Sequence, residues 1–289
     1  MVTPLRVPVV WSEDCLRHEP LAEIWLGVRT AGTEVPARAT AIRTAAETAG
    51  ASVVPATAHS DDVLGRVHDQ GLLDHLRTID AAWTEAGLTV DPGQDRVVPY
   101  LFPTEALLAG HPLRSPTAVH AKAGRYCYDT MTLVGPGTWE AARGAVDAAL
   151  TAVDLVRRGE ARVAYALCRP PGHHAGRDSF GGSCYLNNAA AAAEALRDVG
   201  HERVAVIDID AHHGNGTQAL FYGRGDVFFG SLHVDPGAGW FPHYVGFADE
   251  TGRGAGAGTS LNFPLAPATG DGLWLAAVDR LAGAVSAFG

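Results

Sequence analysis

The sequence predicts an α/β fold, an open and mainly parallel sheet with helices on both faces. Three observations predict it. Short apolar, β-branched runs alternate with long Ala- and Leu-rich segments, the pattern of strand–helix–strand crossover units. The 289 residues are 47% hydrophobic, enough to bury a substantial core. No internal repeat or linker-like stretch divides the chain, so residues 1–289 read as a single domain.

In order, Arg6–Trp11 is a strand by its valine-rich run, and Ala37–Ala49 is a helix that Gly50 closes where a left-handed cap is wanted. Ala51–Pro55 is the next strand. Ser60–His68 is a helix with Asp61 and Asp62 in its first turn, where negative charge suits the helix dipole. Gly71–Ala86 continues at helical spacing, and Thr138–Arg158 begins a long helix just after a Pro-Gly pair. Strands Val163–Cys168, Arg203–Ile209 and Val227–His233 then alternate with the Ala-rich helix Leu186–Val199, and Asp271–Phe288 is a last helix. Two Pro- and Gly-rich stretches, Leu88–Thr117 and Val234–Leu265, are longer than ordinary connections and read as functional loops.

The balance of 32 acidic against 22 basic residues gives a net charge of −10 with no basic block, which argues against nucleic acid and suits a cationic or neutral small substrate. Cys15, Cys127, Cys168 and Cys184 show no CxxC spacing, and no signal-like segment opens the chain. No apolar stretch approaches the roughly 20 residues that span a bilayer. The expectation is a reduced, cytoplasmic protein without a membrane partner.

Three successive strand ends carry the polar chemistry: RPPGHHAG, DAHHGNG and LHVDP. Ligands of open α/β sheets bind beyond the carboxyl ends of the strands, so the three loops can share one crevice. Along DIDAHHG (208–214), a period of two points Asp208 and Asp210 the same way and keeps His212 in phase if the backbone stays extended. A carboxylate oxygen with an imidazole nitrogen suits zinc, and two carboxylates at a buried strand end repel each other without a cation. Beside them, His173 and His174 are candidate general acid and base groups, with Arg169-Pro-Pro-Gly stiffening the turn that presents them. Phe180-Gly-Gly-Ser-Cys-Tyr185 lets backbone approach a ligand closely, or merely leads into the following helix. Trp240 and Phe241 either wall a pocket or pack as ordinary aromatics.

Together RPPGHHAG (169–176), GGSCYLNNAA (181–190), VAVIDIDAHHGNGTQ (204–218), GDVFFGSLHVDP (225–236) and TGRGAGAGTSLNFPL (251–265) resemble the zinc-dependent histone deacetylase superfamily. The likeness is strongest to its bacterial acetylpolyamine amidohydrolase branch, with further agreement at VHDQGLLDHL (67–76), VVPYLFP (97–103) and GPGTWEAA (135–142). The resemblance implies an arginase/deacetylase-like fold and zinc-dependent hydrolysis of an acyl amide, from acyl-lysine or a small acetylated amine, to acetate and free amine. It implies Asp210 and His212 as zinc ligands, Asp208 as the support of His173, and His173 and His174 as the catalytic pair. Asn215 would support His174 where many relatives have Asp, leaving that histidine less basic. A structural potassium ion is implied around Asp208, Asp210, His212, Ser231 and Leu232. Gly182 would contact the substrate amide and Phe241 would wall the tunnel.

Where relatives place a tunnel aromatic this chain has Ser183, implying a wider or less apolar channel, and His120 and Met131 stand where polyamine-specific relatives place acids. The family's third zinc ligand, an Asp, and its Gly-Gly-Tyr tyrosine are expected beyond Gly289, so the fold is expected to lack its C-terminal part. The alternatives are a non-catalytic deacetylase-like protein that works through interactions, and an arginase-like ureohydrolase, which would want a carboxylate where Gly214 stands. Homo-oligomerisation is left open.

Overall fold

A computed structural model describes residues 6–289. Along the chain run β1 (Val9–Trp11), β2 (Ala22–Trp25), β3 (Val28–Ala31), α1 (Pro36–Thr48), β4 (Val53–Pro55), α2 (Asp62–Val67), α3 (Gln70–Glu85), α4 (Glu105–Leu108) and α5 (Val119–Lys122). Then follow α6 (Thr138–Arg157), β5 (Tyr165–Ala166), α7 (Asn188–Asp198), β6 (Val204–Asp208), α8 (Asn215–Phe221), β7 (Val227–Val234), β8 (Ser260–Leu265) and α9 (Asp271–Phe288).

Hydrogen bonding divides the expected sheet into two parallel three-stranded sheets, β4-β1-β5 and β6-β7-β8, and an antiparallel β2–β3 hairpin. Two helices join the sheets. Helix α6, roughly 30 Å long at 1.5 Å per residue, packs on β1 and β5, while α7 packs on β6, and the two helices pack on each other. Buried alanines 141, 142, 145, 148 and 149 let α6 approach its neighbours closely. Its start is fixed by Gly137, at φ +78°, where a Cβ would lie 2.4 Å from the Arg17 carbonyl oxygen.

The main core gathers Leu72, Leu73 and Leu76 of α3 with Phe180, Tyr185, Leu186 and Val227. Each such side chain contributes about 1.5–3 kcal/mol by leaving water. Asp69 caps α3 by accepting from the Gly71 amide, and Asn187 caps α7 by accepting from Ala190. Fully buried Asn187 also donates to the Ala175 carbonyl and the Thr217 hydroxyl, so one residue ties α7, the His173-His174 loop and α8 together.

Several features depart from the expected elements, among them the short helices α4, inside the expected 88–117 loop, and α5. The β2–β3 hairpin was not expected, nor was α8 directly after the DIDAHHG stretch. Strand β8 lies inside the long loop expected from Val234 to Leu265. Strand β6 is not fully buried: Ile207 is 42% exposed, because β6 is hydrogen-bonded on one side only among the described residues. No described helix is long and apolar enough to cross a membrane.

Candidate active site

The loop after β5 is clamped by Arg169. Its buried guanidinium lies 2.8 Å from the Glu34 carboxylate and donates to the carbonyls of Cys15, His18 and Glu34, each at 2.6 Å. Charge-assisted bonds of this kind offset the cost of burying the ion and hold the turn that presents His173 and His174.

Strand β6 ends at Asp208, one residue short of the expected Ile209, so the extended backbone that would have kept His212 in phase does not continue. Side-chain turns take over: Asp208 Oδ1 accepts from the Asp210 amide at 3.1 Å, and Asp210 Oδ1 from the His212 amide at 2.8 Å. Aspartates compete well for their own downstream backbone, so the chain bends instead of continuing the pleat. Asp208 keeps Oδ2 for His173 Nδ1, at 2.8 Å.

The adjacent histidines, ring centroids 4.0 Å apart, have their pKa values pushed in opposite directions. Burial alone would lower the His173 pKa, but the hydrogen bond and charge of Asp208 outweigh it and raise the value. Burial, followed by repulsion from His173, holds His174 well below the ordinary histidine range, and its hydrogen bond to Asn215 does not outweigh them. Asn215 Nδ2 faces Tyr128 Oη at 3.4 Å, so Asn215 Oδ1 accepts from His174 Nδ1–H at 2.7 Å. Neutral His174 therefore carries its lone pair on Nε2.

A cavity of about 430 Å³ opens over this pair. His173, His174, Asp210, His212, Gly182, Ser183 and Phe241, all expected from sequence, line it together. Phe241 sets its edge against His174, ring centroids 4.7 Å apart at 85°, and Trp240 sits 5.4 Å from His212. Met131 also lines the cavity, but His120 does not. The correction has a simple cause: α5, which carries His120, packs on α3, and the exposed His120 ring faces Tyr100 at 6.3 Å. No residue of the 88–117 loop lines the cavity either.

Gly182 and Ser183 are both left-handed, at φ +57° and +62°. Their amides are held by Asp129 Oδ2 at 2.6 Å and Thr132 Oγ1 at 2.8 Å. A Cβ on Gly182 would lie 2.3 Å from His174 Cδ2 and 2.8 Å from Phe241 Cε1. Gly182→Ala should therefore cost about 1–3 kcal/mol by overpacking and backbone strain, read as a lowered midpoint in thermal denaturation; an unchanged midpoint contradicts this packing.

Tyr128, Asp129 and Thr132 are contributors the sequence reading passed over. Asp129 accepts from the amides of Gly182, Met131 and Thr132, and the Tyr128 hydroxyl donates to the His174 carbonyl at 2.9 Å. One signal was available: a carboxylate inside the apolar run YCYDTMTLV has to find donors somewhere.

Asp210 and His212 are half-exposed toward the cavity and offer one oxygen and one nitrogen, donors that suit zinc in kind. Hydrogen bonds from His212 outweigh burial and hold the Asp210 carboxyl well below its usual range, so it is fully ionised. Among the described residues no group of three or more His, Cys, Asp or Glu side chains could hold a metal. The pair thus falls short in number of the three protein ligands usual at catalytic zinc.

The family model for the histone deacetylase domain matches residues 33–289. The chain belongs to the histone deacetylase domain family. Within that family it is 42% identical over 287 residues to the acetylpolyamine amidohydrolase of Mycoplana ramosa, covering 97% of this chain and 80% of the relative. Acetylpolyamine amidohydrolase 1 of Pseudomonas aeruginosa is likewise 42% identical, over 95% of this chain and 78% of its own length. The crystal structure of the Burkholderia pseudomallei acetylpolyamine aminohydrolase superposes with a TM-score of 0.89 at 37% identity, covering 98% of this chain and 79% of that one. The deacetylase fold is therefore shared over nearly all of the residues in hand.

Proposed function

We propose that this chain is a zinc-dependent amidohydrolase that deacetylates small acetylated amines, acetylpolyamines foremost and acyl-lysine as a second class, to acetate and free amine. The observation that carries the reading is the histidine pair, His173 on Asp208 and His174 on Asn215, over a cavity lined by Asp210 and His212. Neutral His174 takes a proton on Nε2 from water as the water oxygen adds to the acyl carbon. It returns that proton to the amine nitrogen as the C–N bond breaks, so one water is consumed per amide. His173, its Nδ1–H donated to Asp208, turns its other ring nitrogen toward the cavity, where as a donor it would stabilise negative charge developing on the acyl oxygen. Zinc, held in part by Asp210 and His212, would supply Lewis-acid polarisation of the acyl carbonyl. A potassium ion near Asp208, Asp210, His212, Ser231 and Leu232 belongs to the same proposal; the register sets Asp208 beside Ser231. The acidic chain suits a cationic amine, and we place the protein in the cytoplasm.

The ureohydrolase alternative is disfavoured by one contact. A Cβ at Gly214 would lie 2.2 Å from Asp208 Oδ2 and 3.2 Å from His173 Nδ1, so the second carboxylate that reading wants has no room. The test is acetate release from N-acetylputrescine by the zinc-loaded chain. Chelation should lower turnover at least about 100-fold, the several kcal/mol expected of a Lewis acid, and added zinc should restore it. No release from any acetylated amine at full zinc occupancy favours the non-catalytic alternative, and two metal ions per chain would favour the ureohydrolase.

A further inference from the structure

We infer that Glu250 is a positioning residue that fixes the Phe241 wall of the cavity through a buried polar network; the inference rests on the amidohydrolase reading for its kinetic consequences alone. Residues 237–245 form an exposed stretch in which Phe241 is half-buried and Pro242 is buried. Asp235 fixes its start, donating its amide to the Leu265 carbonyl and capping the next turn through Gly237. The far end is fixed at Gly246 and Phe247, and almost wholly by side chains. The Glu250 carboxylate accepts from the Gly246 amide at 3.0 Å, the Phe247 amide at 3.1 Å and Gln218 Nε2 at 2.5 Å. His233 Nε2 donates to the Gly246 carbonyl at 2.8 Å, and the Ser231 hydroxyl orients that ring by donating to Nδ1 at 2.8 Å. Asn262 donates to the Phe247 carbonyl at 3.2 Å and to Gln218 Oε1 at 2.7 Å, where His213 Nε2 joins it at 3.1 Å.

Every member behind Glu250 is buried: His213 and Ser231 are 0% exposed, His233 2%, Asn262 3% and Gln218 6%. Polar groups so placed lose more from a missing partner than an exposed hydrogen bond would. Gly246 itself is left-handed at φ +107°, and a Cβ there would lie 2.6 Å from His213 Cγ, so the loop backbone rests directly on that ring. His213, the second histidine of DIDAHHG, thereby serves as a support for the loop. Glu250 is the one member whose side chain belongs to the loop side and whose three donors come from the loop and from α8. Its removal releases the far end of the stretch that carries Phe241, and Phe241 in turn bears on His174 and the channel.

The experiment compares the zinc-loaded wild type with Glu250→Ala, Glu250→Gln, Phe241→Ala and the Glu250→Ala/Phe241→Ala double variant. Hydrogen exchange read by mass spectrometry should show peptides covering 237–247 exchanging at least tenfold faster in Glu250→Ala and near wild type in Glu250→Gln, with α6 peptides unchanged. In kinetics, Glu250→Ala should shift kcat/KM from acetyl toward butyryl amines at least fivefold, mainly through KM, and should add less than twofold once Phe241 is alanine. Exchange unchanged over 237–247, or a shift fully additive with Phe241→Ala, overturns the inference. So does a fall in kcat with selectivity unchanged, the mark of a merely structural role. If Glu250→Ala does not fold, Glu250→Asp, which withdraws the carboxylate by one methylene, is read in the same way. A chain with no hydrolytic activity refutes the amidohydrolase reading, while the exchange arm still decides the role of Glu250.

Discussion

Substituting alanine for His174 should lower kcat for acetylated amines by about 10²–10⁴-fold, the usual contribution of a positioned general base. KM should stay within about threefold, because an interaction made only during proton transfer affects turnover and leaves ground-state binding alone. The neutral state of His174 is what makes the expectation specific. Its Nδ1–H is committed to Asn215, and burial beside His173 keeps Nε2 free to accept. His173→Ala should behave differently, since His173 is tied to Asp208 and held protonated more readily. Its loss removes the partner of Asp208 and the repulsion that helps to lower the His174 pKa. Acetate release with zinc held saturating checks both variants. A His174→Ala enzyme within threefold of wild-type kcat would remove His174 from the chemistry and leave the mechanism without its base.

Much of this site was legible because its chemistry is local. His173 and His174 lie on one strand end, and Asp208, Asp210 and His212 on another, so open-sheet topology alone brings them together. What supports them was not legible. Asp129 and Glu250 reach the site from segments with no fixed spacing to it, and each works by accepting backbone amides, which leave no trace in side-chain pattern. His120 misled because its place was judged from sequence position alone, whereas α5 turns it toward Tyr100.

The fold shows the same division. Helices with long apolar periodicity were placed within about two residues, because an apolar face recurring every three to four residues marks their extent directly. The β2–β3 hairpin was hidden because its two turn residues are Leu26 and Gly27, at φ +49° and +77°. That geometry normally announces itself as Asn-Gly or Asp-Gly, and leucine gives no such signal. Strand β8 was hidden by Pro264, a residue that argues against a strand unless it sits where no ladder hydrogen bond is required of it. Strand β8 pairs with β7 alone among the described strands, so Pro264 is tolerated there.

Acid should unfold this protein earlier than its carboxylates would require. His18, His68 and His75 are each at most 8% exposed, and burial lowers their pKa values from 6.5 to about 3, about 4 and about 4. A histidine whose folded pKa is depressed takes its proton first in the unfolded state, so stability is complete above pH 6.5 and falls as pH drops toward the folded value. Each such group removes up to about 1.4 kcal/mol per pH unit in that window, so these three alone remove about 4 kcal/mol per unit, and His174, His213 and His233, also held low by burial, add to the loss. Against a typical stability of about 5–15 kcal/mol, this places the unfolding midpoint roughly one to three units below pH 6.5. His173 runs the other way, since its raised pKa contributes stability below pH 6.5 that is lost as pH rises through the folded value. One opposing group does not cancel the several that burial holds low. Asp226, held down to about 2 chiefly by its hydrogen bonds to Arg224, loses its contribution only as pH falls from 3.8 through 2, after the histidine window has acted. The loss also reaches the site, because His68 bridges the Gly176 carbonyl and the Asn187 amide, and protonating its Nε2 breaks the second bond where α7 begins. Urea titrations from pH 8 to pH 4 measure the slope directly. His75→Phe, which fills the position between Tyr126 and Phe180 without a titrating group, should reduce that slope by up to about 1.4 kcal/mol per pH unit. A flat stability profile between pH 6.5 and 5 would mean that these histidines are not held neutral by burial.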